Sequence, residues 1–256
     1  MEPALTTTFK NVKFIPICQV IVLTGTALIS FIVAYGYGDV SIYLPFISET
    51  GAKVPAMCLF TYGLFFGAVA GSITVCYRFL ILNHMLANAV QWLKTINTIA
   101  VFIGLLSMAG LAGVAAFRWS FFVSSVVWAH LVAAGVHFVG GLAYIILQTV
   151  IDYWKPATNK LLIKIRILLC LLLLLFLFLL VICFPVSFYR WHQVNESLPA
   201  VKMPIDEGFG LVFASAVFEW LLYAVFLTYI ALFTVEFRSY ELIIGVLPVS
   251  PKADAS

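Results

Sequence analysis

Long, uninterrupted apolar stretches dominate the chain, and short polar intervals separate them. A helix that crosses a bilayer core of about 30 Å needs roughly 20 predominantly apolar residues. Strands are a poor alternative, because the apolar positions are continuous and do not alternate with polar ones. The pattern therefore predicts an all-α, polytopic membrane protein whose single domain, residues 1–256, is a bundle of six transmembrane helices. The predicted helices cover residues 14–37, 56–82, 96–117, 121–151, 161–187 and 209–234.

The longest polar interval in the first third of the chain covers residues 43–55. Two prolines fix the backbone near its ends, and Gly51 supplies conformational freedom between them. Glu49 and Lys53 carry charges that are too costly to place in hydrocarbon. We therefore expect a loop of defined shape at one membrane surface.

The amino-acid composition is typical of a membrane-embedded protein. Of its 256 residues, 64% are hydrophobic and 10% are charged, with a mean hydropathy of +1.11, whereas a soluble domain carries about 25% charged residues. A net charge of +3 spread over short loops gives no indication of nucleic-acid binding. The five cysteines lie within or beside apolar runs, so we expect no disulfide framework. The first run is too long for a signal-peptide core and is interpreted as a membrane anchor.

Basic residues predict the orientation, because cytoplasmic loops of membrane proteins are enriched in Lys and Arg. With both termini in the cytoplasm, only Lys53, Arg118, Arg190 and Lys202 lie outside, and the other ten basic residues lie inside. The 43–55 loop and the loop at 188–208 then face the lumen or the exterior. The second loop contains Asn195-Glu196-Ser197, a candidate N-glycosylation site on the side where that modification occurs.

Three histidine or acidic residues fall inside predicted spans: His130 and His137 on the fourth helix and Glu219 on the sixth. His130 and Glu219 each lie about ten residues beyond the outer end of their helix, which is about 15 Å at 1.5 Å per residue. Their matched depth permits a hydrogen bond or ion pair if the two helices are neighbours. The functional interpretation is a polar pocket beneath the outer face, with Glu219 as acid or base and His130 as its partner. The alternative is a buried polar contact that fixes helix register.

Other sequence features have simpler interpretations. Asp152 and Arg166 are expected to pair at the membrane boundary, and the glycines of helices two to four are expected to allow close helix packing within the chain. Tyr240 and Ile243 form a short pattern that resembles a sorting signal read by adaptor proteins. No motif for a metal site, nucleotide site or hydrolase nucleophile occurs, so no cofactor or metal is predicted.

Several of these residues resemble the damage-regulated autophagy modulator (DRAM) family, within the wider DRAM/Frag/Sfk-like superfamily. The similarity covers nearly the whole chain and includes His130 and Tyr144 of helix four and Glu219-Trp220 of helix six. Its most specific part is the 43–55 loop, with Glu49 where the family usually has aspartate and Val54-Pro55-Ala56 where it usually has Pro-Pro-Glu. The loop positions that carry the resemblance are Pro45, Ser48, Glu49, Gly51 and Pro55.

The resemblance implies a lysosomal or other endomembrane protein that promotes autophagy. The first hypothesis is therefore a non-enzymatic modulator, with membrane lipids and autophagy or lysosomal membrane proteins as partners. A plasma-membrane location is the alternative. A second hypothesis is a lipid-handling or phospholipid-remodelling protein, whose pocket would use Glu49, His130, His137, Glu219 and Trp220, with Glu49 at the rim. An ion or solute pathway is weaker, because helices one and five offer few polar residues across the membrane.

Overall fold

The computed structural model describes residues 5–119, 124–155 and 159–246 of the chain. Its helices are α1 (Phe14–Gly36), α2 (Ala56–Met85), α3 (Gln91–Ala116), α4 (Ser124–Trp154), α5 (Lys160–Val194), α6 (Phe209–Ala231) and the short α7 (Phe233–Phe237). Two strands, β1 (Leu5–Phe9) and β2 (Leu242–Val246), lie outside the bundle. Six helical segments are long and apolar enough to cross a membrane, which confirms the all-α polytopic fold class.

Helix boundaries depart from the predicted ones where polar residues continue a helix beyond its apolar run. Helix α5 extends to Val194 rather than to residue 187, and Pro185 lies inside it. The added turns carry Trp191, which is fully buried and donates from Nε1 to the Ser197 carbonyl at 2.7 Å. The predicted sixth span is divided into α6 and α7. Residues 121–123 of the predicted fourth helix lie outside the described residues.

The two strands were not anticipated. Strands β1 and β2 pair antiparallel, with Leu5 opposite Val246 and Phe9 opposite Leu242. The pairing places both ends of the described chain on one face of the bundle, which we call the terminal face. The opposite face, called the loop face, carries the loops at 37–55 and 195–208, which meet where Ser41 N donates to the Ala200 carbonyl at 2.8 Å.

Small residues allow the helices to approach closely, as predicted from the glycines. A Cβ at Gly67 of α2 would overlap the Leu23 side chain of α1. A Cβ at Gly110 of α3 would stand 2.6 Å from the backbone nitrogen of His137 in α4. These positions therefore serve packing within the bundle.

A cluster of five charged side chains holds the bundle together near the terminal face. Asp152 contacts Arg166, as predicted, and also Arg78 at 2.8 Å and Lys155 at 3.0 Å. Glu236 of α7 bridges Arg78 at 2.6 Å and Arg166 at 2.7 Å. The predicted pair is thus part of a larger network that joins α2, α4, α5 and α7. Buried charges are tolerated when they are paired in this way.

Candidate functional site beneath the loop face

The 43–55 loop is held against α6 by side chains that bind its backbone. Lys202 donates from Nζ to the Leu44 carbonyl at 2.9 Å, and Trp220 donates from Nε1 to the Pro45 carbonyl at 2.9 Å. The backbone nitrogen of Ile47 donates to Glu219 Oε2 at 2.6 Å. The loop therefore covers part of α6.

A short 3-10 turn, Ser48–Gly51, shapes the centre of the loop. Glu49 Oε2 accepts from Phe46 N at 3.0 Å, and Thr50 donates to the Ile47 carbonyl at 2.6 Å. Gly51 is required because a Cβ there would overlap the Phe60 ring of α2. Pro55 then precedes the first residue of α2.

The prediction that Glu49 lies at a pocket rim is wrong. Its side chain turns back into the loop, and the residue is 2% exposed. Burial raises the pKa of Glu49 to about 7, against the opposing effects of the Lys202 charge and the Phe46 backbone hydrogen bond. Burial likewise lowers the pKa of Lys202, and the carboxyls of Glu49 and Glu219 oppose that shift. The buried groups of Glu49 and Lys202 thus interact electrostatically beneath the loop.

Two cavities lie beneath this loop, with volumes of about 190 Å³ and 40 Å³. Both are bounded by Ser48 from the loop, His130 from α4 and Glu219 from α6. The larger cavity lies between α4 and α5, where Val139 and Val181 are largely exposed on its margin. On a membrane-spanning helix, such exposed apolar side chains face lipid. The larger cavity therefore opens sideways toward the bilayer.

His130 and Glu219 share these cavities, but no hydrogen bond joins them among the described residues. Glu219 is bonded to Ile47, and His130 Nδ1 lies 2.6 Å from the Phe117 carbonyl. The two residues thus border the same cavities, without the direct hydrogen bond that their matched depth would permit between neighbouring helices. Each of these polar side chains instead forms a hydrogen bond with a backbone group outside its own helix, because a buried polar group without a partner is costly.

The His130 contact also defines what the cavity can bind. A carbonyl oxygen only accepts, so Nδ1 of His130 carries the proton, and Nε2 of the neutral ring is an acceptor. Glu219 is half-buried and contributes carboxyl oxygens. Ser48 lines both cavities, but among the described residues no hydrogen bond links it to His130, so a nucleophile–base pair is not assembled. The site is thus an apolar cavity with acceptors at one end, which suits a ligand that donates hydrogen bonds.

His137 packs α3 against α4. Its Nδ1 lies 3.1 Å from the Ser107 carbonyl, and Ser107 Oγ donates to the His137 carbonyl at 2.8 Å. The residue also borders the smaller cavity. Its main contacts are those of a packed core histidine.

Two predicted sites lie outside this region. Asn195 ends α5 on the loop face, and its Nδ2 donates to the Glu207 carbonyl at 2.7 Å. Tyr240 and Ile243 lie at the terminal face, where the Tyr240 ring meets His84 at 6.2 Å and Ile243 belongs to β2. Glycosylation and sorting stay predictions.

Comparison with known proteins identifies the family. The profile of the Frag1/DRAM/Sfk1/Cwh43P N-terminal domain matches residues 11–240. The chain belongs to this family. The DRAM resemblance drawn from the 43–55 loop and from helices four and six is therefore confirmed.

Individual relatives in the family cover most of the chain. The chain is 25% identical to human DNA damage-regulated autophagy modulator protein 1 over 91% of its own length and 94% of the relative. It is 27% identical to protein 2 of the same name from Rattus norvegicus, over 86% and 83% of the two chains. The modulator of macroautophagy TMEM150B from Danio rerio is 26% identical, over 79% and 75%. No solved structure matches the chain significantly.

The sequence did not predict that Lys202 is buried or that aromatic side chains pack beside the larger cavity. Lys202 was counted only as an outer basic residue, yet it is fully buried. Phe46 of the loop packs on Phe184 at 5.2 Å and Phe188 at 5.8 Å, both from α5. The i and i+4 spacing of Phe184 and Phe188 was the only available signal for this surface.

Proposed function

We propose that this chain is a multi-pass membrane modulator of autophagy that acts in lysosomal or other endomembranes. The observation that carries the proposal is the family profile over residues 11–240, together with relatives named as autophagy modulators that align over most of the chain. Membrane lipids and autophagy or lysosomal membrane proteins are its expected partners.

Deletion of the gene tests this proposal. Autophagic flux, measured as turnover of a lipidated autophagosome marker with and without a lysosomal inhibitor, should fall and be restored by the wild-type chain. Unchanged flux after deletion would contradict the proposed role. A tagged chain found only at the plasma membrane would contradict the endomembrane location.

A second function, lipid binding, is favoured by the larger cavity beneath the loop face. Its opening between α4 and α5 admits an apolar chain from the bilayer, and Glu219 and His130 place acceptors at its polar end. We expect a lipid whose head carries hydroxyl or amine donors, such as a glycerol or ethanolamine head.

Mass spectrometry of lipids that co-purify with the protein tests this second function. Leu131→Trp, which fills part of the cavity, should abolish co-purification of a specific lipid. Leu171→Trp, on the exposed surface of α5, should not. Identical lipid profiles for both variants and the wild type would contradict lipid binding. Cellular lipid composition that is unchanged by Glu219→Gln and His130→Ala would exclude a catalytic role for this pair.

A further inference from the structure

A large open groove at the terminal face separates the β1–β2 ribbon from α1 and α2. Its volume is about 620 Å³, larger than either cavity beneath the loop face. The groove lies on the opposite side of the bundle from the candidate site, so it is a separate feature. Its apolar walls are formed by Phe9, Val12, Ile15, Ile73, Leu242 and Ile244.

The strand register explains why one face of the ribbon is apolar. Phe9 stands opposite Leu242 and Thr7 stands opposite Ile244, and these pairs share one face because side chains alternate along a strand. Phe9 and Ile244 border the groove and are still 49% and 50% exposed. A two-stranded ribbon is marginal in water by itself. Half-exposed large apolar side chains on such a ribbon indicate a surface that is covered in the working molecule.

The position and the charge of the groove identify what covers it. Ile15 and Ile73 belong to membrane-spanning helices, so the groove runs from the membrane boundary into the hydrocarbon. Lys10 is exposed and also lines the groove, and the described lining residues include no acidic side chain. An apolar wall beside a cation matches an amphipathic anion.

We propose that this groove binds a phospholipid with an anionic headgroup. The phosphate lies beside Lys10, and an acyl chain follows the wall formed by Ile244 and Ile73. A β-strand from a partner protein fits less well, because the groove adjoins the face of the ribbon and not its hydrogen-bonding edge. The bound lipid covers the apolar face of the ribbon and so holds both ends of the described chain at the membrane surface.

Selective lipid retention tests the headgroup. The full-length protein is reconstituted in nanodiscs of phosphatidylcholine and phosphatidylserine, and retained lipids are counted by native mass spectrometry. We expect phosphatidylserine to be enriched several-fold over its bulk fraction, and Lys10→Gln to bring it close to that fraction. Lys164→Gln, at an exposed lysine of α5, is the matched control and should leave the enrichment unchanged. Equal retention of the two lipids by the wild type would overturn the proposal, as would undiminished enrichment in Lys10→Gln.

Neighbouring isoleucines of β2 test the groove. Ile244 borders it, whereas Ile243 stands opposite Thr8 on the other face of the ribbon and is 64% exposed. Ile244→Ser should reduce retained lipid several-fold, and Ile243→Ser should not. Equal losses in the two variants would overturn the proposal. A photo-crosslinking residue at position 244 of the otherwise unchanged protein should capture phospholipid, and capture of protein alone would show that the ribbon binds a polypeptide instead.

Discussion

Glu219 Oε2 accepts a 2.6 Å hydrogen bond from the backbone nitrogen of Ile47, which lies 172 residues earlier in the chain. This bond joins the centre of a membrane-spanning helix to the loop that carries the most specific part of the family resemblance. Beside it, Trp220 binds the Pro45 carbonyl. Adjacent residues of α6 therefore bind consecutive parts of the loop. The Glu219 carboxyl borders both cavities and also positions the loop that covers them.

Replacing Glu219 separates these two roles. Glu219→Gln keeps an acceptor for Ile47 N, so we expect the thermal unfolding midpoint in detergent to change little. Glu219→Leu leaves that donor unsatisfied, and we expect a loss of about 1–3 kcal/mol. Glu196→Leu, on the exposed loop, is the control and should match the wild type. Equal stability of the Leu and Gln variants would show that the bond does not hold the loop.

Glu49 should make stability depend on pH. Its pKa is about 7 in the fold, above its ordinary value of 4.5, so the folded protein retains a proton that the unfolded chain releases first. Stability should therefore fall as pH rises from about 4.5 to 7, by up to about 3 kcal/mol, and level off above that range. Glu49→Gln should remove this component. The measurement is the unfolding midpoint against pH for both proteins, and parallel curves would contradict the assignment.

Lys202 should stabilise the 43–55 loop more than its position in a polar segment of the sequence indicates. Lys202→Met keeps the aliphatic stem but removes the bond to the Leu44 carbonyl and the partner charge of Glu49. We expect faster amide hydrogen exchange across residues 44–51. Lys53→Met is the matched control, because Lys53 pairs with Asp39 at 3.0 Å while half exposed, and such pairs contribute about 1 kcal/mol or less. Equal exchange in the two variants would contradict a special role for Lys202.

The sequence predicts the spans well because burying a helical backbone in lipid demands long apolar runs. It also predicts the depth shared by His130 and Glu219, since depth follows directly from residue count along a helix. It does not predict their partners. Those partners are backbone groups of Phe117 and Ile47, and every residue offers such groups, so no residue type marks them.

The terminal ribbon and the burial of Lys202 escaped prediction for a different reason. A two-stranded ribbon is marginal by itself, and the pairing of β1 with β2 depends on the bundle bringing the two ends of the described chain together. Lys202 is buried only because two loops meet above α6. Both features are set by tertiary contacts that local pattern does not contain.

Within the buried charge cluster, losing an anion should cost more than losing a cation. The cluster holds the cations Arg78, Lys155 and Arg166 and the carboxylates of Asp152 and Glu236. Asp152→Asn leaves three cations with one carboxylate, and we expect a loss of about 3–5 kcal/mol or failure to accumulate. Lys155→Met leaves two of each sign and should cost clearly less. Unfolding midpoints in detergent decide the order, and the reverse order would contradict this account of the cluster.

The contact of α3 with α4 should not tolerate even one added methyl group at Gly110. A Cβ there would stand 2.6 Å from His137 N, and backbone cannot move aside as a flexible side chain can. We expect Gly110→Ala to cost about 1–3 kcal/mol from overpacking. Gly135, on α4, has nothing within 4 Å of its Cβ position, so Gly135→Ala is the matched control. Because alanine favours a helix over glycine by about 0.5–1 kcal/mol, that control should equal or exceed the wild type in stability. If Gly110→Ala were as stable as Gly135→Ala, the close contact of α3 and α4 at Gly110 would not be what positions His137 beside the smaller cavity.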